Sequence, residues 1–291
     1  MKERFDDPAA PASSVSLEVT MVEGTAAERR RDRVTTEEPL EIRLVHEVEG
    51  RQKVSSIAVT MRTPGDDFEL ATGFLVSEGV VRAGDDIWRV GYCEETPHAA
   101  AHNVVEVHLH PRISVDLNQL SRHLITSSSC GICGKTSIEA VDALHPSSPR
   151  GDFQVDAEIL IDLPEILASR QPVFAQTGGI HAAALFDQRG RLLVRREDVG
   201  RHNAVDKLVG SLLKTGELPA GNRILLLSGR ISFELVQKAL LAGVPIVAAV
   251  GAPSSLAITL AESHGMTLVG FLRQGRFNIY CGRERIVFPH P

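Results

Sequence analysis

Two cysteines, Cys130 and Cys133, have the residue type and spacing that sulfur chemistry needs. They lie in the segment "TSSSCGICGKTS" (126–137), among glycines and serines, with the cation Lys135 two residues beyond the second thiol. A neighbouring cation favours thiolate over thiol, and the thiolate is the nucleophile in sulfur exchange. The glycines predict a mobile CxxC loop. The segment therefore favours a reactive sulfur role.

The residues that follow the cysteine pair predict a helix. Thr136 and Glu139 have the spacing of a capping box with Thr136 as the N-cap, and "SIEAVDAL" (137–144) continues the helix to His145 and Pro146. A helix N-terminus stabilises a nearby negative charge, so this position further favours the thiolate form.

Two other kinds of site remain open for the pair. A zinc-binding interaction module would need four ligands, so Cys93 or a histidine would have to complete the set. A thiol–disulfide oxidoreductase would use both cysteines, although such pairs normally follow the first strand of their sheet beside an aromatic residue. With one pair in the chain, we expect no structural metal. Cys93 and Cys281 are interpreted as core residues.

The composition restricts the class of protein. The chain has 291 residues, of which 43% are hydrophobic, and its formal net charge is −6. It can bury a substantial core, and its acidity argues against a nucleic-acid partner, because such binding relies on Lys and Arg. No apolar run approaches the ~20 residues that span a bilayer, and the first residues lack the apolar segment of a signal peptide. We expect a cytoplasmic protein without a membrane partner.

The first part of the chain is predicted to contain a tail and a hairpin. Residues 1–34 are predicted to be a disordered tail, because they are rich in Ala, Pro, Ser, Glu and Arg without a regular apolar period. Residues 35–125 form the predicted N-terminal α+β region. Two segments of alternating apolar residues, 39–48 and 53–62, predict a hairpin that turns at Gly50.

The same region contains further predicted elements. Asp66 as the N-cap and Glu69 three residues on predict the start of a helix that ends at Gly79. Strands are predicted in "DIWRVGYCE" and "NVVEVHLH", and a second helix in "VDLNQLSRHLI". The CxxC loop and its helix then occupy residues 126–150.

Residues 151–291 have the pattern of an α/β domain. Strands in "GGIHAAALFD" and "RLLVRRED" precede a helix at 204–214. Three apolar strands then alternate with two helices, in the order "RILLLSG", "SFELVQKALLAG", "VPIVAAVG", "SSLAITLAESHG" and "TLVGFL". Continuous apolar strands separated by helices predict a mainly parallel sheet covered by helices.

Polar residues follow the strands of this predicted sheet, where ligands usually bind. Ser228 and Arg230 come directly after one strand, and Gly251 comes after the next. Arg273 and Arg276 flank a glycine after a third strand, and two guanidinium groups so placed can hold a phosphate or pyrophosphate. Each segment could also be an ordinary turn.

The segment "REDVGRHNAVDK" (196–207) concentrates polar groups at a strand end and in the first turns of a helix. So many hydrogen-bonding side chains, among them His202, favour a binding role over a solvated helix face. His181 lies in a strand of small residues and is interpreted as a core residue, although the adjacent glycines allow a ligand to approach closely. His108 and His110 share one strand face and are interpreted as surface residues.

Several segments together resemble the FdhD/NarQ family of formate dehydrogenase accessory sulfurtransferases. The matching segments are "SSSCGICGK", "TGGIHAAALFD", "REDVGRHNAVDKLVG", "LSGRISFELVQKALLAG" and "GFLRQGRFNIY". Their order and spacing extend the resemblance over roughly residues 36–288.

The resemblance implies a sulfur carrier. A protein of this family accepts persulfide sulfur from a cysteine desulfurase and passes it to the molybdenum cofactor before insertion into the catalytic subunit of formate dehydrogenase. Cys130 would carry the persulfide and Cys133 would assist its transfer. The cofactor is bis-molybdopterin guanine dinucleotide, with GDP as a mimic, and the binding segment falls on Phe271, Leu272, Arg273, Gln274, Gly275 and Arg276. His202, Ser228 and Arg230 are secondary candidates for this site.

The resemblance also carries expectations about fold and assembly. It implies a C-terminal α/β/α domain similar to the cytidine-deaminase fold, and a homodimer. A hydrolytic deaminase is disfavoured on chemistry, because zinc deaminases need His-x-Glu followed by Pro-Cys-x-x-Cys. Here the cysteines precede the histidine, and Ala183 occupies the position of the glutamate.

Overall fold

The computed structural model describes most of the chain, namely residues 11–94, 102–115, 134–144, 146, 153–273 and 275–289. Within these ranges the chain is a mixed α/β structure built on a four-stranded and a six-stranded sheet. None of the helices described is long and apolar enough to cross a membrane. The predicted helix in "VDLNQLSRHLI" falls almost entirely outside the described residues.

The first two strands correct the prediction of a disordered tail. β1 (Ser14–Glu23) and β2 (Ala26–Thr35) pair as an antiparallel ribbon. Apolar residues alternate along β1, but most of β2 is charged, so the pair lacks the two-strand apolar pattern that identifies a hairpin in sequence. The ribbon is joined to the later chain by a hydrogen bond from Thr35 Oγ1 to Thr177 Oγ1 at 2.9 Å. Residues 1–10 lie outside the described part.

The four-stranded sheet contains the predicted hairpin. β3 (Glu38–Val48) and β4 (Arg51–Arg62) are joined by two residues that both have positive φ, as in a type I′ turn. β5 (Ile87–Tyr92) and β6 (Val104–Leu109) complete the sheet in the order β4-β3-β6-β5, with β3 and β6 parallel.

Helix α1 (Asp67–Ser77) begins where the sequence predicts, but the capping-box prediction is wrong. Asp66 has a φ of 56° and its side chain makes no capping hydrogen bond. Glu69 instead pairs with Arg196, whose Nε lies 2.6 Å from Glu69 Oε2. The carboxylate expected to cap the helix therefore attaches it to a distant strand.

The second half of the chain contributes the strands β7 (Val155–Asp156), β8 (His181–Phe186), β9 (Leu192–Asp198), β10 (Ile224–Leu227), β11 (Ile246–Ala249), β12 (Thr267–Arg273), β13 (Arg276–Cys281) and β14 (Ile286–Val287). Six of them form one sheet in the order β13-β12-β11-β10-β8-β9, and β7 pairs with β14. The prediction of a mainly parallel sheet is wrong. β10, β11 and β12 are parallel, as their connecting helices require, but β8, β9 and β13 are antiparallel to their neighbours. Short turns connect β8 to β9 and β12 to β13.

The remaining helices are α2 (Gly134–Asp142), α3 (Ala157–Ala168), α4 (Pro172–Thr177), α5 (Arg201–Thr215), α6 (Phe233–Leu241) and α7 (Ser255–Ser263). α2 begins two residues before the predicted N-cap Thr136. At α7 the predicted start is confirmed, since Ser254 is the N-cap and its Oγ accepts a hydrogen bond from Ala257 N at 3.3 Å.

One hydrophobic core crosses the predicted boundary between the N-terminal and C-terminal regions. It combines buried side chains of β3, β6 and α1 with those of α5, α6 and α7. Helix α5 lies within it, and its residues Val205, Leu208 and Val209 are at most 1% exposed. A second core lies on the other face of the six-stranded sheet and includes Leu160 and Leu163 of α3.

Helices α1 and α5 cross at two glycines. A Cβ atom on Gly73 would overlap the carbonyl oxygen of Asp206, and one on Gly210 would overlap that of Glu69. Helix backbones approach this closely only where the residue that faces the other backbone carries no side chain. The crossing therefore fixes α1 firmly against α5.

Candidate functional site

Three parallel strands end at one edge of the six-stranded sheet, and backbone hydrogen bonds join the residues after them. Gly251 N donates to Gly229 O at 3.0 Å, and Phe271 N donates to Gly251 O at 3.0 Å. A Cβ atom on Gly251 would lie 2.8 Å from Gly229 O, so no side chain fits there. The ends of β10, β11 and β12 thus form a continuous backbone surface in the usual position of a ligand.

The three secondary candidate residues lie at this edge. Ser228 Oγ accepts a hydrogen bond from Ala182 N at 2.9 Å, which joins the end of β10 to β8. Arg230 is exposed two residues further along. His202 lies in the first turn of α5, with Nε2 3.3 Å from Ser232 Oγ. The structure therefore brings His202, Ser228 and Arg230 to the same edge.

The histidines at this edge favour the neutral form. Burial, assisted by the cation of Arg201, lowers the pKa of His202 to about 4. Burial likewise lowers the pKa of His181, whose ring lies beside Gly229. At neutral pH both imidazoles therefore act as hydrogen-bonding groups without adding charge.

The predicted phosphate clamp is the turn between β12 and β13. Arg273 pairs with Arg276 across this hairpin, and both side chains are exposed. Gly275 has a φ of 73°, which glycine adopts without strain. The Arg273 guanidinium carbon lies 5.9 Å from the centre of the Phe271 ring, within cation–π range. The two cations are thus available at the edge where β12 ends.

Two members of the predicted segment 271–276 differ from the others. Leu272 is fully buried in the second core, so its predicted role in cofactor contact is wrong for its side chain. The resemblance implied the whole segment, but successive residues of a strand point to opposite faces, so their side chains do not all reach one ligand. Gln274 lies outside the described residues.

The binding role favoured for segment 196–207 is wrong for Asp198, which forms a buried ion pair. Asp198 accepts hydrogen bonds from Thr63 N at 3.1 Å and Gly200 N at 2.8 Å, and Lys207 Nζ lies 2.7 Å from its Oδ2. These groups hold the start of α5 against the turn that follows β4. The polarity of this segment largely serves the contact between the two halves of the chain.

A second buried pair links three helices. Lys238 Nζ donates to both carboxylate oxygens of Asp206, at 2.8 and 2.9 Å, and Ser77 Oγ donates to Asp206 at 2.7 Å. Burial raises the pKa of Asp206, and Lys238 opposes that rise. Sequence spacing could not reveal these contacts, because Lys238 lies 32 residues and Ser77 lies 129 residues from Asp206.

A cavity of about 620 Å³ lies beside the sheet edge, among β4, α1, α2, α5 and α6. One wall comes from the helix that follows the cysteine pair, through Ala140 and Val141, and from Leu144 just beyond its end. His202 and Glu234, from the first turns of α5 and α6, line the cavity as well. No sequence motif marks this cavity, because elements from both halves of the chain enclose it.

The cysteine pair itself, Cys130 and Cys133, lies outside the described residues. Cys133 directly precedes Gly134, the first residue of α2. Cys93 and Cys281 are buried free thiols, which confirms their interpretation as core residues, and burial raises the pKa of Cys281 to about 11. Within the described ranges no group of three His, Cys, Asp or Glu side chains could hold a metal ion. Because the pair lies elsewhere, the zinc alternative stays open.

The fold places the chain in a known structural class. A crystal structure from Desulfotalea psychrophila, of a protein described as a formate dehydrogenase accessory protein, is similar with a TM-score of 0.71 and 25% sequence identity. The match covers 95% of this chain and 100% of that chain. The chain therefore has the fold of that accessory protein.

The sequence defines the family. The model of the FdhD/NarQ family matches residues 35–287. Proteins named sulfur carrier protein FdhD are 49% identical over 272 residues in Streptomyces coelicolor, covering 92% of this chain and 94% of the relative. The corresponding protein of Saccharolobus solfataricus is 43% identical over 270 residues, covering 93% and 97%. The chain belongs to the FdhD/NarQ family, which confirms the resemblance seen in its motifs.

Proposed function

We propose that this chain is a sulfur carrier that takes persulfide sulfur from a cysteine desulfurase and delivers it to the molybdenum cofactor of formate dehydrogenase. The observation that carries the proposal is the family match over residues 35–287, which spans both the cysteine pair and the sheet edge. Relatives that are 43% and 49% identical over more than nine tenths of the chain are named sulfur carriers.

The first step is sulfur loading at Cys130. The Cys130 thiolate attacks the outer sulfur of the donor persulfide, a new S–S bond forms, and the donor cysteine leaves as a thiolate. Cys130 then carries one additional sulfur atom as a persulfide. Because α2 begins directly after Cys133, its N-terminal backbone amides lie close in sequence to the reacting pair and favour its anionic forms.

The second step is sulfur release, in which Cys133 takes part. Attack of the Cys133 thiolate on the inner sulfur of the Cys130 persulfide forms a disulfide and expels the terminal sulfur as hydrosulfide. Hydrosulfide can enter the coordination sphere of the substrate's molybdenum by ligand exchange. A cellular thiol then reduces the disulfide and restores both cysteines.

The sheet edge fits the nucleotide part of bis-molybdopterin guanine dinucleotide as the sulfur-accepting substrate. Gly229 and Gly251 leave room for a ligand against bare backbone. Arg230, Arg273 and Arg276 are exposed cations at the same edge and can neutralise phosphate charge. The neutral histidines add hydrogen-bonding groups. Formate dehydrogenase as the acceptor, a cytidine-deaminase-like domain, a homodimer and a cytoplasmic location complete the proposal.

Sulfur loading is tested by intact mass spectrometry after incubation with a cysteine desulfurase and cysteine. We expect the protein to gain the mass of one sulfur atom, which reduction removes and Cys130→Ala abolishes. Cys281→Ala is the matched control, because Cys281 is a buried core thiol, and it should load normally. Stoichiometric zinc without any sulfur adduct would contradict the proposal and support a zinc module. Disulfide reductase activity without sulfur loading would support an oxidoreductase.

Nucleotide binding at the hairpin is tested with GDP. Replacing Arg273 and Arg276 together by alanine should weaken GDP binding by roughly a hundredfold or more, since each charge-assisted contact contributes about 1.5–3 kcal/mol. Isothermal titration calorimetry measures the affinity, and sulfur loading at Cys130 should be unchanged. Arg29→Ala with Arg31→Ala is the control, because it removes two exposed cations from the β1–β2 ribbon. Equal GDP affinity in the two double variants would remove the clamp from the proposal.

A further inference from the structure

The cavity beside α2 has the size of a small-molecule site. Its volume of about 620 Å³ lies within the range of known ligand pockets. Apolar side chains contributed by both halves of the chain line it, among them Ile57, Phe74 and Phe233. Walls of this kind can enclose the two faces of a flat ring.

Polar groups in the cavity supply hydrogen bonds with little positive charge. Glu78, Glu234 and Gln237 line it together with the neutral His202. Within the described residues no hydrogen bond reaches the Glu78 carboxyl, so its oxygens can accept hydrogen bonds from a ring in the cavity, and burial raises its pKa. The cation of Lys238 is paired with Asp206. The lining therefore suits an uncharged heteroaromatic ring better than a phosphate.

The cavity lies at the same sheet edge as the exposed arginines. His202 lies 3.3 Å from Ser232, in the loop after β10, and this loop is joined through Gly251 to Phe271. Neighbouring strands are about 4.8 Å apart, so β12 lies roughly 10 Å from the β10 end beside the cavity. We call the sheet edge with the exposed Arg230, Arg273 and Arg276 the arginine edge. An extended dinucleotide can occupy the arginine edge and the cavity together.

The cavity also adjoins the helix that follows the cysteine pair. Ala140, which lines it, lies six residues after Gly134 in α2. This separation is about 9 Å along a helix. A ring bound in the cavity is therefore one short helical segment from the residue that follows Cys133.

We propose that this cavity binds the pterin end of the cofactor, while its guanine nucleotide end lies along the arginine edge. The inference rests on the proposed function and adds where the sulfur-accepting end of the substrate sits. Glu78 and Gln237 in the cavity then recognise the pterin ring, while the exposed arginines at the sheet edge bind the phosphates.

The test uses neopterin, a fluorescent pterin without a nucleotide. We expect saturable quenching of neopterin fluorescence by the wild-type protein, undiminished by saturating GDP. Ala140→Trp fills the cavity and should weaken neopterin binding at least tenfold while GDP affinity is retained. Glu139→Trp is the matched control, because Glu139 is the exposed neighbour of Ala140 on α2, and it should bind neopterin normally.

A second variant keeps the test decisive if Ala140→Trp does not fold. Gln237→Leu preserves volume but removes the amide, and should weaken neopterin binding about tenfold. No saturable binding to the wild type, displacement by GDP, or equal binding by the cavity variants would overturn the inference. Sulfur loading at Cys130 is measured separately, so neopterin binding without loading would reject the proposed function and leave the cavity as a pterin site.

Discussion

Gly73→Ala is expected to lower the free energy of unfolding by about 3 kcal/mol or more, although alanine is the better helix former. Helix propensity alone would favour alanine by about 1 kcal/mol. At this position, however, the added methyl group would overlap the backbone carbonyl of Asp206, which belongs to a helix in the centre of the core. Removing this overlap requires α1 and α5 to move apart, which would disturb the other core elements against which both helices pack.

Urea unfolding followed by circular dichroism measures this effect. Gly221→Ala is the matched control, because a Cβ there would meet no atom within 4 Å, and its stability should change by less than about 0.5 kcal/mol. Gly210→Ala should lower the free energy of unfolding as much as Gly73→Ala does. The double variant should lose less than the sum of the two single losses, because the first methyl group already separates the helices. Stabilisation by Gly73→Ala would show that the helices are not in contact at this crossing.

Lys238→Met should destabilise the protein by about 3–5 kcal/mol, because it leaves the Asp206 carboxylate buried without its cation. The loss should depend on pH. Without Lys238 the pKa of Asp206 in the folded protein rises further, so the folded state binds a proton more tightly than the unfolded chain. The loss of stability in Lys238→Met is then largest at alkaline pH and decreases as the pH falls.

Urea unfolding of the variant at pH 8 and pH 5 tests this prediction. The double variant Lys238→Met with Asp206→Leu is the control, since removing both charges should recover much of the lost stability and its pH dependence. A Lys238→Met variant with wild-type stability at pH 8 would mean that Asp206 does not depend on Lys238 to offset the cost of burying its carboxylate. Sulfur loading should persist under conditions where either variant is folded.

Local patterns in the sequence predicted the elements that depend on local interactions. Alternation and a turn predicted the β3–β4 hairpin, and the apolar strands between helices predicted the parallel centre formed by β10, β11 and β12. The spacing of Glu69 from Asp66 was misleading, because a carboxylate three residues into a helix can also pair with a distant strand. Periodicity shows which face of an element is buried, but not which element covers it.

The candidate site could be predicted only in part for the same reason. Strand ends followed by Ser228, Arg230 and Arg273 are visible in sequence, and the structure brings them to one edge. Asp198 pairs with nearby Lys207 but also accepts a hydrogen bond from the remote Thr63 N, and Asp206 pairs with the remote Lys238, so these polar residues resembled ligand-binding groups. The cavity depends on the packing of both halves and has no signature within any one segment.

The core shared by the two regions limits how this protein can be divided or recombined. Helix α5 packs its apolar side chains against elements from both halves, so a C-terminal fragment would expose a surface that α1 and β3 normally cover. Such a fragment would be prone to aggregate and would be a poor starting point for an isolated nucleotide-binding module. Gene fusion or domain exchange at the segment joining the halves would therefore separate two apolar surfaces that pack against each other in the shared core. Because substitutions on one surface must fit the other, both halves are expected to be inherited as one unit.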